Sequence, residues 1–227
     1  MVSEIKVISF DLDDALYDNQ PVLQNAEHRC NEFLEKQFNR QNIQFSLEAF
    51  YSIRHRLMSS VDHAMENMTL MRQVAIREFC VNLEEADLIT QQALAIFLQA
   101  RSQATVPSKI FSMMEILASR YLLVSVTNGN CDPGQLSIGK FFHKNYSPVE
   151  GYRAKPHPQM LLQVIEDFKL DKSELLHIGD SLDKDGLAAK KAGVNYFHFA
   201  PFIDGNTPAG VVSQFEEFLS SFVSNNN

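Results

Sequence analysis

The sequence predicts an α/β fold, a parallel sheet flanked by helices with an all-helical segment inserted into it. Three observations predict it. Short apolar, β-branched runs each break off into a polar loop, amphipathic helical segments lie between them, and one long stretch near the N-terminus keeps helical periodicity throughout. Apolar runs alternating with helices of about 10–15 residues are the signature of βαβ units and a parallel sheet.

Taken in order, residues 5–10 (IKVISF) read as a buried strand that stops at Asp11-Leu12-Asp13-Asp14. From about Pro21 to Gln103 the chain has no glycine and no further proline, and apolar residues recur at helical spacing (Phe33, Leu34, Phe38; Leu94, Phe97, Leu98). That stretch reads as several helices, and Val106-Pro107 marks the return to the sheet. A helix over 109–120 precedes a strand over 122–126 that ends in Thr127-Asn128-Gly129. A helix over 158–168 precedes a strand over 175–178 that ends in Gly179-Asp180, and a helix over 182–192 precedes a strand over 196–199. The expected organisation is a discontinuous core, residues 1–17 and 105–227, with the helical insert at 18–104. The terminal SNNN reads as a frayed tail.

Composition narrows the function classes. The chain has 227 residues, enough for a full core plus an insert, and a formal net charge of -8. Such a charge disfavours a nucleic-acid partner, although a metal and one or two lysines reverse the field locally for a small anion. Three widely spaced cysteines (Cys30, Cys80, Cys131) match no zinc or redox spacing and read as reduced thiols. The opening MVSEIKVISFDLDD does not resemble a signal peptide, and no stretch is apolar and long enough to span a bilayer. These bounds predict a soluble, cytoplasmic enzyme or binding protein with no membrane or nucleic-acid partner.

In an open parallel sheet, ligands bind at the carboxyl ends of the strands. Three predicted strands bring Asp11 and Asp13, then Thr127 and Asn128, then Asp180 to one crevice, and Lys155 arrives from the loop Arg153-Ala154-Lys155-Pro156-His157-Pro158. Clustered carboxylates repel one another unless a cation lies between them. Mg²⁺ suits a few carboxylates plus phosphate oxygens, because it keeps several of its waters. Each element also has a plainer reading. The acids of DLDD end a strand and cap the next segment, and Asp180 or Ser181 caps a helix. Lys155 is a solvated lysine, and Thr127 closes a strand. In the functional reading Asp180 ligates a metal with Asp185 behind it, Lys155 neutralises a transferring phosphoryl group, and Thr127 donates to it. Asp183 reads as solvated turn. The order of the four elements, three of them on strand ends, favours the functional reading.

Those elements, FDLDDAL, VTNG, the lysine of RAKPHP and GDSLDKD, resemble the four motifs of the haloacid dehalogenase-like hydrolase superfamily. The position and length of the helical insert resemble that family's first-type cap, so the resemblance covers the whole chain. The DLDDxLYDN opening is most similar to a bacterial branch that includes flavin mononucleotide phosphatases and other nucleotide phosphatases. The resemblance implies a Rossmann-like core under a cap, and Mg²⁺-dependent hydrolysis of a small phosphorylated metabolite (a nucleotide, flavin mononucleotide or sugar phosphate). It also implies roles. Asp11 attacks phosphorus and becomes an aspartyl-phosphate. Asp13 protonates the leaving oxygen and then deprotonates the hydrolytic water. Asp11, the Asp13 carbonyl and Asp180 hold the metal. Thr127, Asn128, Lys155 and the backbone N–H groups of Leu12 and Asp13 hold the phosphoryl oxygens.

One departure is Ala15, where the family usually has a threonine that supports the loop through a hydrogen bond. Such a loss costs on the order of 1 kcal/mol, which predicts weakened activity or altered loop order with the chemistry retained. A catalytically weak binding or regulatory protein is the alternative it leaves open. A haloacid dehalogenase is the poorer alternative, because the resembling dehalogenases lack an acid at the position of Asp13. Elsewhere, Met58, Met65, Met68 and Met71 read as core filling or an adaptable lid, and Arg54-His55-Arg56 as a solvated face or, if turned inward, a reader of a second substrate anion. His157 and His177 read as structural.

Overall fold

The computed structural model describes residues 5–202. Five strands form one parallel sheet in the order β3-β2-β1-β4-β5: β1 (Val7–Phe10), β2 (Leu122–Val126), β3 (Phe142–Tyr146), β4 (Leu175–Gly179) and β5 (Asn195–His198). Successive side chains of the inner strands alternate between two clusters. Ile8, Phe10 and Leu123 pack with helix α5 (Ser108–Ala118), while Val7, Val124 and Val126 pack with α6 (Gln159–Phe168) and α7 (Leu187–Ala192). Both faces are therefore covered, and β1 and β4 bury every residue, which is why they read as unbroken apolar runs.

Two expectations change. The strand β3 was not anticipated. It is an edge strand whose FHKNY sequence buries only Tyr146, so it lacks the apolar run of its neighbours. Residues 182–192 are not one helix: Leu182–Gly186 winds as a π turn before α7. The Asp185 and Gly186 N–H groups both reach back to the Ser181 carbonyl, and the wide turn carries Asp185 inward. The expected SNNN tail lies outside the described residues.

Between β1 and α5 lie α1 (Asn19–Arg40), α2 (Leu47–Met58), α3 (Met68–Phe79) and α4 (Ala86–Arg101). Each of the first three starts on a side-chain cap: Asp18 accepts from the Gln20 N–H, Ser46 from Ala49 and Asn67 from Thr69 and Leu70. Pro21 sits in the first turn of α1, where its missing N–H has no helical partner to lose. Leu34, Phe50, Met71 and Phe97 are among the residues of a hydrophobic cluster separate from those of the sheet. The three cysteines are buried and unbridged, and no described helix is long and apolar enough to cross a membrane.

Candidate active site

The carboxyl ends of β1, β2 and β4 do converge. A cavity of 140 Å³ is lined by Asp11, Asp13, Thr127, Asn128, Lys155, Asp180 and Asp185, together with Asp14, Asn19, Gly129, Ser181 and Lys184. Every residue expected in the site is there except Leu12, whose side chain is buried in the core beneath the loop. Its expected contribution was a backbone N–H.

Lys155 is the centre of charge. Its Nζ is 2.8 Å from Asp11 Oδ1 and 2.5 Å from Asp185 Oδ1, and it donates to the Val126 carbonyl at 2.6 Å. Burial works against its charge, but Asp11 and Asp185 outweigh it and raise the ammonium above its ordinary range. Asp185 is buried too, yet Lys155 and His177 hold its carboxyl well below the usual carboxylate range. Asp11 is pushed up, first by burial and then by Asp185 and Asp13, against the opposing pull of Lys155. Burial likewise raises Asp180, with Asp185 adding to it. Lys155 thus touches two of the three clustered carboxylates, Asp11 and Asp185, and holds only Asp185 low.

That surplus is the test of whether a divalent cation suits the site. Asp11, Asp180 and Asp185 each offer an oxygen, all within 4.8 Å of one another. Asp185 is already engaged: Oδ1 meets Lys155 and His177 Nε2 (3.1 Å), and Oδ2 accepts from the Ser181 N–H (3.0 Å). Asp11 and Asp180 are the freer donors, with Asp185 behind them. An all-oxygen donor set with excess negative charge fits Mg²⁺.

Backbone and neighbours fix each part. The Asn128 carboxamide pairs with both backbone groups of Lys155, donating to its carbonyl (2.8 Å) and accepting from its N–H (2.7 Å). Its side chain therefore anchors the lysine loop, and Asn128 also lines the cavity. The Thr127 hydroxyl accepts from the Gly129 N–H at 3.0 Å and keeps its own proton to donate. A Cβ at Gly129 would fall 2.4 Å from Asp13 Oδ2, so a larger residue there would displace the Asp13 carboxylate. His177, as expected, is structural. It links Ser9, its partner in the β1–β4 register, to Asp185 through Nδ1 at 2.9 Å and Nε2 at 3.1 Å.

The acid-bearing loop carries Ala15 where the family usually has threonine, and its backbone closes on itself. Ala15 is fully buried, and the loop closes through Leu16 N–H to the Leu12 carbonyl and Asp14 N–H to the Tyr17 carbonyl, both 2.9 Å. Asp14 takes φ 61° and accepts from the Asn19 N–H.

The largest omission from the sequence reading is Arg101. The last residue of α4, it donates through Nη2 to both oxygens of Asp13, at 2.5 and 2.6 Å, and Tyr17 donates to Asp13 Oδ1 at 2.5 Å. Burial alone would lower the guanidinium pKa, but the Asp13 charge reverses this and raises it. An arginine 88 positions away, at the end of an insert helix that also carries Asp87 and three glutamines, gives no local signal.

A second cavity of 710 Å³ adjoins the first, sharing Asp13, Asn19, Asn128, Gly129 and Lys184, and extends under the helical insert. Arg54, Met58, Met65 and Met68 face it, whereas Met71 is core. Of Arg54-His55-Arg56, only Arg54 turns inward.

A buried nucleophile candidate, a lysine across it, an acidic donor set and a covered cavity define a hydrolase of the α/β class with a site at the strand ends. The chain belongs to the haloacid dehalogenase-like hydrolase family, whose model matches residues 5–193. The chain is 27% identical to the 5-amino-6-(5-phospho-D-ribitylamino)uracil phosphatase of Escherichia coli K12 over 85% of its length and 82% of that protein. It is also 27% identical to a glyceraldehyde 3-phosphate phosphatase of Pyrococcus abyssi GE5, over 86% of its length and 81% of that protein. Among solved structures, a 2-haloacid dehalogenase from Pseudomonas syringae pv. Tomato DC3000 superposes with a TM-score of 0.84 at 25% identity, covering 96% of this chain and 99% of that one.

Proposed function

We propose that this protein is a Mg²⁺-dependent phosphomonoester hydrolase of small phosphorylated metabolites, with Asp11 as nucleophile. The observation that carries this reading is the lysine shared between Asp11 and Asp185 while Asp180 stands in the same cluster. A phosphoryl group and a metal together complete such a charge set. The two phosphatase relatives support the chemical class.

Asp11 Oδ attacks phosphorus, and the ester P–O bond breaks with its electron pair leaving on the alcohol oxygen. Asp13, held in orientation by Arg101 and Tyr17, supplies the proton. Water then attacks phosphorus, Asp13 takes its proton, and the P–Oδ bond breaks to restore Asp11 and release phosphate. Lys155 and Thr127 hold the phosphoryl oxygens. Asp11, Asp180 and the Asp13 carbonyl would hold Mg²⁺, which supplies positive charge against the anionic nucleophile and phosphoryl group. Residues 18–104 act as the cap that encloses the leaving group, and the protein works in the cytoplasm.

A haloacid dehalogenase is the competing reading, given the Pseudomonas neighbour. Asp13 argues against it. Hydrolysis of a halide needs no proton on the leaving group, whereas an alkoxide does, and Asp13 lines the small cavity beside Asp11. Phosphate release from a panel of phosphorylated metabolites, with Mg²⁺ and with chelator, tests the proposal. Metal-dependent release supports it, and chloride release from 2-chloropropionate without phosphate release would replace it.

A further inference from the structure

Strands β1 and β4 bury every residue, yet each places one polar side chain within its apolar run, and the two are register partners: Ser9 and His177. Both are fully buried. Packing alone would be served by apolar residues there, as it is by the neighbouring pair Val7 and Leu175. A buried polar pair is retained at a cost, and its hydrogen bonds show what it does.

The direction of each bond is fixed from both ends. Burial, against the opposing pull of Asp185, keeps the His177 imidazole below its ordinary range, so the ring is neutral and one nitrogen carries the proton. Asp185 is ionised and can only accept, which puts that proton on Nε2, 3.1 Å from Asp185 Oδ1. Nδ1 then accepts from the Ser9 hydroxyl at 2.9 Å. The Ser9 carbonyl, 3.3 Å from Nδ1, would need the proton there and would leave Nε2 bare against the carboxylate. A Cβ at Gly179 would strike the Asp185 carboxyl carbon, so the missing side chain lets that carboxylate lie against β4 beside His177. Asp185 Oδ1 thus has two donors, His177 and Lys155. The three N–H groups of Lys155 are all committed, to Asp11 Oδ1, Asp185 Oδ1 and the Val126 carbonyl. The place of Nζ is therefore a balance between two carboxylates, and a second donor on Asp185 Oδ1 weakens the pull from that side.

We propose that His177, set as the Nε2–H tautomer by Ser9, is a positioning residue for phosphoryl transfer: its bond to Asp185 limits the hold of that carboxylate on Lys155 and keeps the ammonium within reach of Asp11 and an incoming phosphoryl oxygen. His177 touches no reacting atom, and its effect passes through Asp185. Without its donor, Lys155 is drawn toward Asp185, and Asp11 loses the charge that lets it meet an anionic ester. This inference rests on the phosphatase reading for its reaction and on the Ser9–His177–Asp185–Lys155 chain for its geometry.

The test compares wild type, His177→Phe and His177→Gln on 4-nitrophenyl phosphate in Mg²⁺. Nitrophenolate leaves without a proton, so the rate reports attack by Asp11 rather than proton transfer from Asp13. Phenylalanine keeps a ring with neither nitrogen, whereas glutamine places an amide N–H as many bonds from Cβ as Nε2 and restores a donor to Asp185. His177→Phe is expected to lower kcat/KM by about tenfold or more, and His177→Gln to recover most of that loss. A His177→Phe rate equal to wild type, or a His177→Gln rate no better than His177→Phe, overturns the proposal. Nitrogen NMR of lysine- and histidine-labelled protein reads the same chain without turnover. Lys155 is the one buried lysine among the described residues, so its ammonium protons exchange slowly. Its signal is expected to move in His177→Phe and to lie near wild type in His177→Gln. An unmoved signal in His177→Phe, or a wild-type imidazole with its proton on Nδ1, overturns the proposal. If His177→Phe does not fold, His177→Leu, which repeats the residue before it, takes its place in both readouts. If wild type releases no phosphate from this ester or from phosphorylated metabolites, the hydrolase reading fails instead, and the spectra alone decide whether His177 positions Lys155.

Discussion

Lys155 lies against two carboxylates and keeps only one of them low, so Asp11 waits for another partner. The lysine has little freedom: it is 4% exposed, its Nζ also meets the Val126 carbonyl, and its backbone is pinned on both sides by the Asn128 carboxamide. Asn128→Ala removes both backbone bonds and leaves the lysine charge intact. It is expected to lower kcat by about tenfold, equivalent to about 1.4 kcal/mol of positioning. Stability should fall by no more than about 1–3 kcal/mol per unpaired backbone group, a melting shift of about 2–4 °C per kcal/mol. Steady-state kinetics with a thermal melt separates the two effects. Asp11, Asp13, Thr127, Lys155 and Asp180 were legible because each follows an apolar run or sits in a motif. Arg101 was not, because its partner Asp13 is met only after the whole insert has folded.

At the level of elements, two of the ties between the insert and the sheet act on the site loops. One is Arg101 on Asp13. The other is Glu66, in the short 3₁₀ turn before α3, which accepts from Arg153 Nε at 3.0 Å through both oxygens and from the Ala154 N–H at 2.7 Å. Arg153, with the Ala154 N–H, holds the Glu66 carboxyl below its ordinary value despite partial burial. Glu66 thus grips the loop that presents Lys155. Glu66→Ala is expected to raise KM several-fold and to cost about 1–3 kcal/mol, a melting shift of about 2–4 °C per kcal/mol for a chain of this size. A differential scan and a substrate titration check both. A melt unchanged from wild type would mean that the contact carries no weight. The strands and helices that bury a face were readable from periodicity. The edge strand β3 was not, since its solvent side is polar, and the π turn was not, since it depends on a doubled bond to the Ser181 carbonyl.

For the whole molecule, the sheet brings three acids and one lysine together from segments far apart in the chain, and folding is therefore coupled to whatever balances their charge. Mg²⁺ binding to the folded state alone should stabilise it by about 2.7 kcal/mol at a hundredfold excess over Kd, which is a rise in melting temperature of several degrees. Asp180→Asn should abolish most of that rise while leaving the metal-free melt equal or higher, because one repelling charge is gone. A rise that survives in Asp180→Asn would place the metal elsewhere. The parallel sheet and its helical insert were expected from the sequence; the insert's hold on the acid Asp13 emerged only from the packed structure.

The central claim is that Asp11 carries the phosphoryl group. The most direct measurement is an acid quench of the protein during turnover of a responsive phosphomonoester with Mg²⁺, followed by peptide mass mapping. One added phosphoryl group on the peptide containing Asp11, absent in Asp11→Asn and absent with chelator, is the predicted result. Turnover with the phosphoryl on another residue, or undiminished phosphate release by Asp11→Asn, would contradict it.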